Sequence, residues 1–265
     1  MHPAPELVIA TYTRAADTFD TLPFWHHYGR RTAELAALRP GERVLDLCCG
    51  TGASALPAAR AVGPTGSVLG VDLTPALIAV AHANAARDGL PQARFETGDV
   101  TALAVAPGSF DVVVSVFGLF FLDDMPGMLQ RAWEWLAPGG RLVTTVWGEV
   151  VLAPGEALFW EAVTREDASL DHISPAASLA TPAALLQLHA DAGLPAPRVT
   201  HEPWRMPLGS PDAFWPVIMG TSNRGVYEAL SPAAQRRVRR ATVARLREAH
   251  VEALEMEALV AIATK

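Results

Sequence analysis

Three aspartates, two glycines and a threonine stand at spacings that could hold a small ligand. Asp46 lies four residues before Gly50, and Gly50-Thr51-Gly52 closes the apolar run Arg43–Cys49. Glycines at such a place let the backbone turn tightly and approach a ligand without a clashing Cβ. Asp72 follows Gly52 by twenty residues, with Leu73 beside it. A carboxylate there can accept both hydroxyls of a ribose. Asp99 sits within Gly98-Asp99-Val100. Its carboxylate suits an exocyclic amino group, and Val100 can pack on a base. Ser115 and Phe117 end another Val-rich run and would wall the same cleft.

Two ligand chemistries compete for this pattern. Gly50-x-Gly52-x-x-Ala55 satisfies a dinucleotide fingerprint, and Asp72 falls where a dehydrogenase places its ribose acid. Asp46 separates them, because it interrupts an otherwise apolar strand. A buried carboxylate costs several kcal/mol unless it is paired. A pyrophosphate gives no reason to place a negative charge there, whereas a cationic ligand does. The bland alternatives are a structural acid at Asp46 and turn or cap roles for Asp72 and Asp99.

The elements that must position these groups are legible. Short apolar runs at Arg43–Cys49, Ser67–Asp72, Ala93–Val100, Phe110–Phe117 and Arg141–Trp147 read as buried parallel strands. Helices between them are expected near 55–62, from Pro75 after a Thr74 cap to Gly89, and over 126–136. Ala137-Pro-Gly-Gly140 reads as a turn. Such alternation predicts an α/β fold, doubly wound, with a mostly parallel seven-stranded sheet. The sheet is expected to resume at 198–205 and end at 257–263. Ser174-Pro175, Thr181-Pro182, Ser210-Pro211 and Ser231-Pro232 each resemble a cap followed by proline at the first helical position. Residues 1–40 are expected to form an N-terminal lid. Residues 41–265 would be the main domain, with helical insertions at about 150–193 and 210–250 over one end of the sheet.

Val44-Leu-Asp-Leu-Cys-Cys-Gly-Thr-Gly52 resembles the first motif of class I methyltransferases dependent on S-adenosylmethionine (SAM). Gly70-Val-Asp-Leu73, Gly98-Asp-Val100, Phe110-Asp-Val-Val113 and Leu136-Ala-Pro-Gly-Gly-Arg-Leu142 resemble the next four, in order, across residues 40–148. The whole is most similar to the quinone-biosynthesis-like group of small-molecule methyltransferases. The resemblance implies SAM as cofactor and S-adenosylhomocysteine (SAH) as product. It implies that Asp46 and the Gly50–Gly52 loop hold the methionine part, Asp72 the ribose, and Asp99 with Val100 the adenine. Cys48-Cys49 departs from the small residues usual in this motif.

Methyl transfer is an in-line displacement, so positioning in a dry site can supply much of the rate. A base is needed only if the acceptor must lose a proton. His26 and His27 are the candidates for that role, and Tyr12 is a candidate to close over the cofactor. Trp25, Tyr28, Phe120, Phe121 and Trp147 are expected to line an apolar acceptor pocket. His172 and His201 read as surface residues, and Arg236, Arg237, Arg239 and Arg240 as the solvated side of a helix.

Composition sets the remaining bounds. Half of the 265 residues are hydrophobic and the formal charge is −7, which disfavours nucleic acid and anionic lipid as partners. No apolar run approaches the roughly 20 residues that span a bilayer. No leader is evident, and the two adjacent cysteines make a poor disulfide or zinc site, so a reduced cytoplasmic protein is expected, as monomer or homodimer, with no metal. Three other readings stand beside methyl transfer to a C, O or N atom. They are a SAM-binding enzyme catalysing a different reaction, a nicotinamide-dependent oxidoreductase, and a non-catalytic binding protein on the same fold.

Overall fold

The computed structural model describes residues 5–170 and 175–265. Among them seven strands form one sheet. They are β1 (Arg43–Leu47), β2 (Ser67–Asp72), β3 (Ala93–Thr97), β4 (Phe110–Val116), β5 (Leu136–Trp147), β6 (Arg198–Pro207) and β7 (Ala253–Thr264). Their order is β3-β2-β1-β4-β5-β7-β6. The first five are mutually parallel, and β7 runs antiparallel to both its neighbours. The sheet is therefore mixed, with one reversed strand.

Helices α1 (Pro5–Phe19), α2 (Pro23–Leu35), α3 (Ala55–Val62), α4 (Pro75–Arg87) and α5 (Met125–Trp135) accompany the parallel part. Helices α6 (Gly155–Glu166), α7 (Pro182–Asp191), α8 (Phe214–Met219), α9 (Asn223–Ala229) and α10 (Pro232–Glu248) follow β5. Strand side chains alternate between two apolar layers. Val44, Val68 and Val112 pack with the alanine-rich faces of α3 and α4. Leu45, Val113 and Leu142 pack with α5, α6 and α8 on the other side. No helix among the described residues is long and apolar enough to cross a membrane.

Several boundaries differ from the sequence expectation, each for a local reason. β3 stops at Thr97 rather than Val100, because Asp99 accepts the Thr101 amide (2.8 Å) and starts a 3-10 turn. The Ala137–Gly140 turn is absorbed into β5 as a register shift: Phe110 pairs with Leu136, and Val112 already pairs with Arg141. β7 starts at Ala253, because β6 pairs with it along ten positions. Thr181 and Ser231 cap their helices by accepting the amides of Ala184 and Ala234. Ser210 and Thr74 make no such side-chain bond, and the turn after Ser210 is 3-10. Ser174 lies outside the described residues.

The segment expected to act as a lid divides in two. α1 lies across α4, with Phe19 stacking on Trp25 at 4.8 Å. α2 belongs to the core, where Phe24 and Tyr28 are fully buried.

Candidate cofactor and acceptor clefts

Strand order reverses between β1 and β4, so the crevice at their carboxyl ends is the topological switch point where ligands bind in open α/β sheets. The first residue after each strand marks it. Cys48 (φ 59°) and Phe117 (φ 56°) both occupy the left-handed region, which costs a non-glycine residue of order 1–3 kcal/mol. They sit there because the two chain segments nearly touch. A Cβ on Gly118 would lie 2.3 Å from the Cβ of Cys48.

Two cavities open at this point. One, of about 700 Å³, is lined by Gly50, Ser54, Asp72, Leu73, Asp99 and Val100, with Tyr12 and Phe19 from α1. The other, of about 370 Å³, is lined by Phe24, Phe120, Trp147 and Met256, with Glu149, Glu156 and Asn223 at its polar end. Tyr12, Trp25, Phe117 and Phe121 line both and form the wall between them. The wall is braced by aromatic contacts. Phe117 stacks on Trp147 at 3.8 Å, and Tyr12 meets Phe121 edge-on at 6.1 Å.

Asp72 organises the larger cavity. Its Oδ2 accepts the Gly50 amide (2.9 Å) and its Oδ1 the Thr74 amide (2.8 Å). One bond to each oxygen aims the carboxylate and leaves lone pairs for a ligand. Burial raises its pKa, and the Thr74 and Gly50 amides oppose that rise. Asp99 spends Oδ1 on the amide and hydroxyl of Thr101. Arg131, the one basic residue lining this cavity among the described residues, donates to the carbonyls of Thr101 and Leu103 and so pins that turn.

Asp46 is not part of the cleft wall. It lies 1% exposed beneath it, where its Oδ2 accepts the hydroxyl of Ser54 (2.6 Å) and Oδ1 accepts no hydrogen bond. Burial pushes its carboxyl up to about 7, against the Ser54 bond. Thr51 also faces away from the cavity. Its hydroxyl donates to Asp20 Oδ1 (2.5 Å), and Asn84 Nδ2 donates to both Asp20 Oδ2 (2.7 Å) and the Thr51 carbonyl (3.2 Å). This clasp fastens the α1–α2 junction to the glycine loop. Gly52 (φ 88°) supplies the turn but lies on the outer side of the loop, and Ser115 is buried behind Gly118.

The remaining expectations divide. Of the residues expected at an acceptor pocket, Trp25, Phe120, Phe121 and Trp147 line the smaller cavity. Tyr28 does not. It is a core residue behind Phe117 and Trp147, in edge contact with both. His26 and His27, expected as candidate bases, line neither cavity. On α2, Phe24 and Tyr28 face inward, exposed position 26 lies on the opposite side, and half-buried position 27 flanks the inward face toward β6. His26 Nε2 approaches the Asp20 carbonyl (3.1 Å), and His27 stacks on Trp204 at 4.1 Å. His201 is half exposed beside Glu257, and His172 lies outside the described residues.

Sequence reasoning missed Glu149, Glu156 and Asn223. Glu149 follows Trp147-Gly148 directly past β5, a strand-end signal that was available. Asn223, whose Nδ2 donates to Glu156 Oε1 (3.2 Å), comes from distant helices and carries no local signature.

These residues fit SAM better than a dinucleotide. Among the described residues acids stand in place of amides in the larger cavity, its arginine, Arg131, is turned to the Thr101 and Leu103 carbonyls, and an orphaned buried carboxylate oxygen lies beneath the loop.

Comparison with known proteins agrees. Residues 44–140 match a family model described as a methyltransferase domain. The chain is 35% identical to a nocamycin O-methyltransferase from Saccharothrix syringae over 184 residues, covering 67% of this chain and 64% of that protein. It is also 35% identical to an aklanonic acid methyltransferase from Streptomyces sp. (strain C5) over 140 residues, covering 52% and 64% respectively. The chain thus spans somewhat less than two thirds of the relatives it matches. A structure of a putative methyltransferase from Bacillus halodurans shares the fold with a TM-score of 0.54 at 18% identity, covering 89% of this chain and 97% of that one.

Proposed function

We propose that the chain is a class I SAM-dependent methyltransferase that methylates a small apolar or aromatic molecule, a reading supported by the methyltransferase-domain match over residues 44–140. One observation carries this reading. The acid-lined cavity and the aromatic cavity share a single wall, so a ligand in one abuts a ligand in the other.

When bound, SAM supplies an electrophilic methyl group on a sulfonium. Asp72 would hold the ribose hydroxyls, and Asp99 the adenine amino group against Val100. Ser54 and the Gly50 loop would hold the methionine part, with Asp46 acting through Ser54. Tyr12, Trp25, Phe117 and Phe121 would orient the acceptor and exclude water. The Tyr12 hydroxyl is kept protonated by burial, with Asp72 and Cys48 adding to the rise in its pKa. It is therefore a hydrogen-bond donor in the wall rather than a base. Glu149 and Glu156 replace the histidines as groups able to take a proton from the acceptor. α1 and the clasp through Asp20 serve as the lid, and the helices of 150–193 and 210–250 shape the acceptor cavity. A small molecule rather than nucleic acid is the acceptor, in keeping with the −7 charge, and the protein acts in the cytoplasm as a monomer or homodimer.

The test is incubation with methyl-labelled SAM and a panel of phenols, quinols and polycyclic enols, following SAH and labelled product together. Stoichiometric SAH and labelled acceptor support the reading. Tight SAM binding with conversion of an acceptor but no SAH would instead assign the chain a reaction other than methylation.

A further inference from the structure

A third cavity lies on the outer side of the glycine loop, sharing only Ala53 with the cofactor cleft. It is a groove of about 460 Å³ between α2, α3 and α4, walled at its base by Gly52 and Ala53 and at one edge by Trp204. Its charge opposes that of the molecule. The chain carries −7, yet Arg30, Arg60 and Arg87 line this groove together with His26 and His27, and Asp88 is the sole lining carboxylate among the described residues.

The arginines are held rather than loose. Asp88 Oδ2 accepts Arg60 Nη2 from α3 (2.5 Å), and its Oδ1 accepts Arg87 Nε on α4 (3.1 Å). Arg87 Nη1 also donates to Asn84 Oδ1 (2.8 Å). Arg30 commits Nη1 to Glu34 (2.8 Å). A guanidinium has five N–H donors in a planar fork, so each arginine keeps donors for a further oxyanion while one acid fixes two of them in place. The His27 pKa is lowered first by burial and then by Arg30 and Arg31, against Glu202 and Glu34.

We propose that this groove binds a small multiply charged oxyanion, a polyphosphate or a polycarboxylate, at a site separate from the cofactor and acceptor clefts. Fork-shaped donors on three helices match the several oxygens of such an anion. Through Arg87 and Asn84 the site adjoins the Asp20 clasp, and through Ala53 it adjoins the cofactor loop itself.

The experiment is calorimetric titration of the SAH-saturated protein with pyrophosphate and, separately, with citrate at low ionic strength, where screening is weak. Saturation occupies the cofactor cleft and removes it as a competing anion site. The expected result is saturable one-site binding of at least one anion in the sub-millimolar range. It should weaken by roughly tenfold or more in an Arg60→Ala/Arg87→Ala double variant, a difference of one decade in dissociation constant. The tighter anion assigns the ligand as phosphate or carboxylate. A circular-dichroism spectrum and urea midpoint matching those of the wild type confirm the fold of the double variant. Failure of both anions to saturate, or equal binding by the double variant, would overturn the proposal.

Discussion

Asp46 shows most sharply what a single residue can and cannot reveal. The sequence exposed it as an acid in an apolar strand and pointed to a cationic ligand. It could not reveal that Ser54, eight residues later, intervenes between Asp46 and the cleft. That contact depends on how the loop after β1 folds back, which strand periodicity does not encode. The folded carboxyl titrates near 7 and the unfolded one near 3.8, so the folded state binds the proton more tightly. This contribution to stability is complete below about pH 4, is lost as pH rises from 4 to 7, and stays lost above 7. Asp46→Asn should therefore be the more stable protein at pH 8, by on the order of a few kcal/mol at about 1.4 per pKa unit. Its urea midpoint should change less between pH 5 and 8 than that of the wild type, and the same variant should bind SAM more weakly. A steeper pH dependence in the variant would contradict the assignment. For His26 and His27 the expectation is the reverse. The double alanine variant should keep its methyl-transfer rate within about twofold, measured as SAH formation, because neither ring reaches either cavity.

At the scale of elements, the parallel strands and their order of ligand-bearing ends were legible because buried strands and glycine turns leave dense local signals. The mutual approach of elements was not. Gly29 is an example, an unremarkable glycine within α2. A Cβ there would lie 2.2 Å from the Ala53 carbonyl oxygen, so α2 can rest on the cofactor loop only without a side chain. Gly29→Ala must push backbone against backbone. It should cost about 1–3 kcal/mol, the usual range for overpacking, read from thermal or urea unfolding. It should also weaken SAH binding, because the displaced element is the loop that carries Gly50. An alanine variant as stable as the wild type would mean that α2 is not seated on the loop. The placement of His26 and His27 has the same origin: residue types suggested chemistry, while the helical face decided where the rings point.

For the whole molecule, the division of labour follows the sheet. The parallel half, whose motifs were readable, carries the cofactor cleft. The chain after β5 contributes Glu156 and Asn223 to the acceptor cavity, from residues far apart in sequence that only tertiary packing brings together. The acceptor side was for that reason the least legible part. Asn223→Ala should raise KM for the acceptor at least about fivefold, roughly one lost hydrogen bond, while SAH affinity stays within about twofold. Equal loss on both sides would mean that the cavities are not separately built. The measurement that bears most directly on the account is calorimetric titration of wild type and Asp72→Ala with SAM and SAH. Micromolar binding by the wild type, weakened by roughly two orders of magnitude or more in the variant through loss of a charge-assisted contact, is the predicted result. No binding by folded wild type, or undiminished binding by the variant, would contradict it.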